Sequence, residues 1–487
     1  MKRPATLAEM QAHYGERYRW LLLLAVMVGT MAAIMSSTII NVAIPDLSHH
    51  FAVGQERAHW VSSGFMVAST VSMLTTPWLL DSFGYRKTYV LSTLMLLAGG
   101  VGGGLANHFG LVLAARVVEG LAAGIVQPIP AIIIIRAFQP HERGRAGGIF
   151  GMGVVLAPAL GPSIGGLLVE WFGWRSIFFM VAPFCLASLW LAYRYVPANS
   201  PGGVAPDRRN SKLDWQGLLL CTVGTLCLLN GLVELHSSAQ APAFVLLGLA
   251  LLCVLGFVWW QQRQARHSGS PLMHMDLFKH RPFAMGSLVA FIYGTALFGS
   301  TYLLPLYIQM GQGLSAAMVG TIMLPAGLVL AFTIPLAGRL SDRVPIHLMI
   351  SLGILLLAAS FALMATIGLH ATLWALVTWT ILGRIGLGFI LPSLNNGAMQ
   401  GMEHRLISQA SSAINFLRML GGAAGISLCG IILQWRMAAH GAQDTAAAPS
   451  AARLAAFDDT FVLLALVCAL AVLAAWRLRQ PPKDDKE

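Results

Sequence analysis

The sequence predicts an all-α polytopic membrane protein of 14 transmembrane helices, on three observations. Hydrophobic residues fill 56% of 487 positions and charged residues only 10%, too apolar a balance for a soluble chain of this length. The apolar residues fall into runs of about 20, the length that crosses a bilayer as a helix. The runs lie near residues 20–42, 58–79, 88–106, 110–135, 146–169, 175–196, 214–235, 242–262, 283–309, 316–338, 346–367, 371–397, 407–435 and 459–478. The third observation is charge. With the N-terminus cytoplasmic, only Arg57, Arg175, Arg436 and Arg453 of the 31 Lys and Arg fall outside, and Arg116, Arg384 and Arg418 fall within runs. The rest lie on the cytoplasmic side, as the positive-inside rule requires, and one missed span would scramble the pattern.

The net charge of +11 therefore describes membrane orientation and gives no reason to expect a nucleic-acid partner. Residues 1–17 are polar and the first run is long enough to span, so no cleavable signal is expected. All six cysteines fall inside apolar runs with no metal-site spacing, which predicts free buried thiols and neither metal nor cofactor. No GxxxxGK[ST] loop is present, which excludes the usual ATP-driven pump.

Taken in order, the first span holds Ser36-Ser-Thr-Ile-Ile-Asn41, with Ser37 and Asn41 four apart and able to share a face. Between the second and third spans runs Pro77-Trp-Leu-Leu-Asp81-Ser-Phe-Gly84-Tyr-Arg86-Lys87. Asp81 suits a helix N-terminus, and Arg86 and Lys87 suit C-terminal carbonyls. Gly338-Arg-Leu-Ser-Asp342-Arg343 after the tenth span repeats part of this loop. Two copies at corresponding places imply an internal repeat. The fourth span carries Arg116, Glu119 and Gln127 on one polar face. Charges within a span face a cavity or a partner, so Arg116 and Glu119 form either a static pair that sets helix register or a proton-linked one.

The fifth span contains Gly153, Ala157, Gly161 and Gly165, a small residue every four positions, followed by Gly166. This stripe allows backbone-to-backbone helix packing, and Pro158 and Pro162 predict a bend beside it. The sixth span opens at Trp174, an interfacial anchor. Residues 197–213 and 263–282 are predicted linkers around spans seven and eight. The ninth span runs through Tyr293, Tyr302, Tyr307 and Gln309. Tyr293 and Tyr302 are candidates for an aromatic cavity wall, whereas Tyr307 suits the lipid interface equally well. The twelfth offers Arg384, Asn395 and Asn396, and the thirteenth Ser408, Ser411, Ser412, Asn415 and Arg418. Such polarity is costly unless it lines water or other polar groups.

Several of these stretches resemble the major facilitator superfamily, and in particular its 14-helix drug:proton antiporters of the EmrB/QacA type. The Gly153–Gly166 stretch with its Gly161-Pro162-Ser-Ile-Gly165-Gly166 core is similar to the antiporter signature of the fifth helix. Thr38, Ile39, Asn41, Val42, Ala43 and Pro45 match the family's L-D-x-T-I-V-N-V-A-L-P run. Asp81, Gly84, Arg86 and Lys87, with Asp342 and Arg343, match its cytoplasmic loops. Arg116-Val-Val-Glu119-Gly120 resembles R-x-x-Q-G, and Tyr302-Leu-Leu-Pro305-Leu-Tyr-Ile-Gln309 resembles Y-L-L-P-L-Y-L-Q. Two departures stand out: Ser36 replaces the family's membrane-embedded Asp, and Glu119 stands where Gln is usual.

The resemblance implies a major facilitator fold: a cytoplasmic N-terminus at 1–19, a six-helix bundle at 20–196, two inserted helices with linkers at 197–282, a second six-helix bundle at 283–478 and a cytoplasmic tail at 479–487. It implies that the fifth helix packs against the opposite half. It implies export of amphipathic, cationic or neutral organic compounds across an inner (plasma) membrane against an inward proton flow. The expected cavity residues are Ser37, Asn41, Gln127, Tyr293, Tyr302, Gln309, Asn395, Asn396, Asn415 and Arg418. With Ser36 unable to titrate, Glu119 beside Arg116 is the expected proton carrier. Asp81, Gly84, Arg86, Lys87, Gly338, Asp342 and Arg343 are the expected cytoplasmic gate. An Ala-rich outer loop at 437–458 is where a periplasmic adaptor and outer-membrane channel would engage. Export of a particular metabolite, siderophore or fatty acid, uncoupled facilitation, and a non-transporting sensor stay open as alternatives. The last would need a soluble signalling domain, and no loop is long enough to hold one.

Overall fold

The computed structural model describes residues 6–199, 212–235, 241–267, 271–368, 372–403, 405–442 and 450–478, with the side chains of 55, 56, 158–163, 316 and 317 outside the described residues. Every regular element among the described residues is helical. In order they are α1 (Leu7–Tyr14), α2 (Tyr18–His50), α3 (Gln55–Ala58), α4 (Trp60–Ser72), α5 (Thr76–Phe83), α6 (Tyr85–Gly104), α7 (Phe109–Val126), α8 (Ile129–Ala137) and α9 (Arg143–Phe172). Then come α10 (Ser176–Tyr195), α11 (Trp215–Glu234), α12 (Ala241–Arg266), α13 (Arg281–Leu306), α14 (Ala316–Ser341), α15 (Ile346–Met364), α16 (Leu373–Ala398), α17 (Ile407–Ala439) and α18 (Ala451–Trp476). Eleven helices among the described residues are long and apolar enough to cross a membrane. Helical segments occupy the other three predicted spans as well. One is broken by a 3₁₀ turn between α4 and α5, one is the glycine-rich α6, and one is α9. The chain is a multi-pass membrane protein.

Residues group into two compact units: 1–226, 252–275 and 403–416 in the first, and 227–251, 276–402 and 417–487 in the second. In the first unit α2 is the centre. Ile39, Ile40, Ala43 and Leu47 pack with Val61, Val112, Trp174 and Phe178 into one buried cluster. The Tyr89 hydroxyl donates to the Ala25 carbonyl at 3.0 Å and lies 2.9 Å from Ser188 Oγ, tying α6 to both α2 and α10. On α7, Gly120 and Gly124 lie directly against the backbone carbonyls of Phe65 and Ser69, where a β-carbon would overlap. That is small-xxx-small packing of α7 on α4.

The second unit repeats the device. Gly294 on α13 meets the Arg418 carbonyl, and Gly421 on α17 meets that of Phe291. Thr295 Oγ1 donates to the Gly421 carbonyl at 2.9 Å between them. Gly353 and Gly386 bring α15 and α16 equally close. Leu232, Ala424 and Ile431 form a smaller core with Leu247 and Phe291.

The structure corrects several expectations. The stretch before the first span contains α1, whose start is a capping box: Thr6 accepts from the Glu9 amide at 3.3 Å and Glu9 reaches back. The first span continues through Pro45 to His50, because Pro45 sacrifices one helical hydrogen bond on a helix otherwise held by packing. The fourth divides at Gln127-Pro128, where proline restarts the helix as α8. The last starts at 451, eight residues before the predicted 459, because Ser450 caps it by accepting from the Arg453 amide at 3.2 Å. Arg453, assigned to an outer loop, is thus helical, is buried, and donates to the Met310 carbonyl at 3.3 Å. Tyr307 is not at a lipid interface. It is fully buried, edge-on to Phe457 and Phe461, with its hydroxyl accepting from Gln312 at 3.0 Å. The six cysteines are free and buried, as their apolar surroundings predict.

Candidate functional site

The deepest charges in the first unit are Arg116 and Glu119. One helical turn apart on α7, both are 1% exposed and joined at 2.6 Å. Three elements build the surroundings. From α2, Ser36 Oγ accepts from the same guanidinium nitrogen at 2.8 Å, and from α4 the Val61 carbonyl accepts from Nε at 3.2 Å. The guanidinium also lies 4.3 Å from the centroid of the Phe65 ring, a cation–π distance. From α6, Gly99 and Gly100 leave room for the acid: a β-carbon at Gly99 would sit 2.6 Å from Glu119 Cγ, and one at Gly100 3.4 Å from Oε1. Glu119 Oε1 and the second terminal nitrogen of Arg116 are buried without a hydrogen-bond partner. Such orphaned polar atoms are costly.

The two departures from the family pattern thus converge on one nitrogen. Ser36 stands where the family has an acid, and Glu119 where it has an amide, and both touch the same NH group of Arg116.

Of the other cavity candidates in the first unit, Ser37 is half-buried and its hydroxyl donates to the Ile34 carbonyl at 2.7 Å. Asn41 is exposed and accepts from Ser62 at 2.7 Å. Gln127 is half-buried and donates to Ser69 Oγ at 3.5 Å. Asn415, on the part of α17 that belongs to this unit, is buried and donates to the Ser411 carbonyl at 2.9 Å. In the second unit Tyr293 is buried, and Arg384 and Arg418 are the charged groups that act on its phenol. Arg384 is 9% exposed and Arg418 half-buried. Asn395 and Asn396 are half-buried near the end of α16. Tyr302 and Gln309 are exposed, the latter donating to the Pro305 carbonyl at 3.4 Å.

Gly153 and Gly165, at the two ends of the small-residue stripe of α9, face α2. A β-carbon at Gly153 would sit 2.8 Å from Met27 Sδ, and one at Gly165 2.5 Å from Ile39 Cγ1, both on α2. The missing side chains of these two glycines make room for the bulky face of α2. Gly166 has nothing within 4 Å. Pro158, Gly161 and Pro162 lie outside the residues whose side chains are described.

At the loop motif, Gly84 adopts φ 78° and caps α5 by donating its amide to the Leu80 carbonyl. Only glycine takes that conformation cheaply. Asp81 lies in the last turn of α5, and the cation acting on it is Arg136, which donates to the Tyr85 hydroxyl at 3.0 Å. Arg86 donates to the Val196 carbonyl at 2.6 Å, at the C-cap of α10, and Lys87 is exposed. In the second copy Gly338 lies in the last turn of α14, with Asp342 at its C-cap and Arg343 just beyond. Asp214, just before α11, is held in a network of its own. Its carboxylate accepts from the Gly217 amide at 2.9 Å, Trp260 Nε1 at 2.8 Å and Gln261 Nε2 at 2.7 Å. It caps α11 and locks α11 to α12.

Two helical units, each with ionisable side chains deep in spanning helices, are the architecture of a polytopic membrane transporter. The chain belongs to the Major Facilitator Superfamily, whose family profile matches residues 26–426. It is 26% identical over 462 residues to the uncharacterized MFS-type transporter YcnB of Bacillus subtilis, covering 95% of both chains. It is 26% identical over 429 residues to the multidrug export protein EmrB of Haemophilus influenzae, covering 87% of this chain and 82% of that one. Among solved structures, the human organic anion transporter MFSD10 matches with a TM-score of 0.64 at 16% identity, covering 92% of this chain and 99% of that one.

Proposed function

We propose that the protein is a proton-coupled exporter of amphipathic organic compounds, working by alternating access in an inner (plasma) membrane with both termini cytoplasmic. The observation that carries this reading is the buried Arg116–Glu119 pair with one orphaned oxygen on the acid. Coupling needs a group that binds a proton in one conformation and releases it in another. Ionised, Glu119 is held by Arg116. Protonated, it loses that attraction and frees the guanidinium, which keeps Ser36 Oγ and the Val61 carbonyl as acceptors. The cost of neutralising the pair is thereby softened, and a shift of α7 against α2 or α4 changes the proton affinity of Glu119. Similarity to a protein named a multidrug export protein supports export of amphiphiles as the cargo. The asymmetry of Lys and Arg along the chain supports the orientation.

Flux of amphipathic dyes into proteoliposomes, with and without an imposed pH gradient, tests the reading. The wild type concentrates dye only with the gradient, and the Glu119→Gln variant only equilibrates it. Equal, gradient-independent equilibration by both proteins would make this an uncoupled facilitator.

A further inference from the structure

Within the first unit, the start of α11 and the end of α12 meet over one acid. Asp214, buried just before α11, accepts from Trp260 Nε1 at 2.8 Å and from Gln261 Nε2 at 2.7 Å. The first of these bonds fixes the Trp260 indole, and the Trp259 indole lies beside it with ring centroids 6.4 Å apart. The Arg263 guanidinium stands 5.4 Å from the centroid of Trp259 and 6.0 Å from that of Trp260. Both are cation–π distances. Arg263 is exposed, and its side chain makes no hydrogen bond or ion pair among the described residues. The arginine is thus held by two aromatic rings while its N–H donors stay open to a ligand.

Leu252, Leu255, Trp259, Arg263 and Arg266 follow one another at steps of three and four, so they share one face of α12. All five are exposed. The face is apolar through Trp259 and cationic beyond it. From Leu252 to Arg263 it rises about 16 Å, close to the depth of one bilayer leaflet. On α11 the exposed Leu219 and Trp215 give way in the same manner to the exposed Lys212. No Asp or Glu occurs between Glu234 and Asp276. Asp214 is buried under the Gly217, Trp260 and Gln261 donors. Residues 212–219 and 252–267 therefore present three exposed cations and no exposed acid.

We propose that Lys212, Trp259, Arg263 and Arg266 form a binding site for an anionic phospholipid, with its phosphate at the two guanidinium groups and an acyl chain along Leu255 and Leu252. In the orientation argued above the lipid belongs to the cytoplasmic leaflet, and its binding is independent of cargo and protons. A guanidinium presents two parallel N–H donors to phosphate oxygens. The apolar stripe continuous with the cations selects a lipid over a free phosphate. The missing acid selects the headgroup. The ammonium of an ethanolamine or choline headgroup meets no carboxylate here, whereas a glycerol headgroup needs none, so phosphatidylglycerol is the chemistry that fits. Tryptophan and arginine also anchor spanning helices at interfaces, but anchoring alone gives no preference among headgroups.

The full chain, purified in dodecyl maltoside, is titrated with phosphatidylglycerol, phosphatidylethanolamine and phosphatidylcholine of one acyl composition. Each carries a fluorophore at the end of one chain, and binding is read by anisotropy. Phosphatidylglycerol should bind about 10- to 30-fold more tightly than the two zwitterionic lipids, the worth of two cations at an anionic headgroup. Arg263→Gln should weaken phosphatidylglycerol about fivefold, and Arg263→Gln/Arg266→Gln should bring it to the zwitterionic level. Arg263→Lys should keep part of the affinity, since the charge stays while the planar fork is lost. Melting in lipid-free detergent should be unchanged in all three variants, because the side chains are exposed, so that lost binding reports the site. Arg194 on α10 is also exposed and stands 5.9 Å from the centroid of a tryptophan, Trp190. Arg194→Gln should leave phosphatidylglycerol affinity within about twofold, as an independent position does. An equal loss in Arg194→Gln would mean diffuse surface charge and overturn the proposal. Equal binding of the three lipids by the wild type would reduce the face to an interfacial anchor and overturn it as well. Displacement of the lipid by millimolar inorganic phosphate at constant ionic strength would make this a free-anion site, and the proposal would fail.

Discussion

Replacing Glu119 by Gln removes the acid that faces Arg116 inside the first unit while keeping the side chain's size and a carbonyl acceptor. Breaking a buried ion pair by deleting one partner typically costs 3–5 kcal/mol. Arg116 keeps Ser36 Oγ, the Val61 carbonyl and the Phe65 ring, so the lower end, about 3 kcal/mol, is expected. The same geometry predicts its own rescue. Ser36 Oγ lies 2.8 Å from the nitrogen that Glu119 now binds, so Ser36→Asp returns a carboxylate to that nitrogen from α2. The double variant Ser36→Asp/Glu119→Gln should recover at least about 2 kcal/mol over the single one, as interacting neighbours do in a double-mutant cycle. Thermal melting in detergent reads the stability, and pH-gradient-driven dye accumulation in proteoliposomes reads the coupling. Glu119→Gln should lose uphill accumulation while keeping downhill exchange, and the double variant should regain both stability and accumulation. A double variant no better than Glu119→Gln in either assay would refute the idea that one carboxylate, on either helix, serves Arg116.

Other substitutions probe the frame. Gly165→Leu should abolish transport and lower the melting temperature, because even a β-carbon there crowds Ile39. Its neighbour Gly166→Ala should be neutral or stabilising by up to about 1 kcal/mol in melting, since the position is open and alanine favours the helix. Asp214→Ala should cost about 2–3 kcal/mol, because it strands the Gly217, Trp260 and Gln261 donors. The protein that survives should keep the wild-type dependence of transport on the pH gradient, and loss of that dependence would place Asp214 in the coupling machinery. Asp81→Asn and Asp342→Asn should raise the labelling of engineered cavity cysteines from the cytoplasm, and unchanged labelling would reduce both acids to surface residues.

The periodic apolar runs made the membrane helices legible because hydrophobic length is a local property. Local chemistry also explains the misread boundaries. Ser450 is one capping residue inside an Ala-rich stretch that hydropathy alone assigns to a loop. Thr6 and Glu9 spell a capping box ahead of a helix too polar to look like a span. Arg116 and Glu119 could be paired from their spacing, since three residues is one helical turn. That Ser36 touches the same nitrogen could not, because 80 residues separate it from Arg116. The role of Gly99 and Gly100 was hidden for the same reason. Their signal is only a glycine-rich run, Gly99-Gly-Val-Gly-Gly-Gly104, whose partner across the bundle is not written beside it. Tyr307 misled because a tyrosine near a helix end reads as interfacial until the aromatic residues of α18 are folded onto it.

If cargo and proton exchange through Glu119, reversing the usual drive shows it directly. Proteoliposomes containing a pH-sensitive dye are given a gradient of transported probe and no pH gradient. Wild-type protein should move protons opposite to the probe, and Glu119→Gln should carry the probe downhill with no proton signal. Probe movement without proton movement in the wild type, or an unchanged proton signal in Glu119→Gln, would rule out exchange through Glu119.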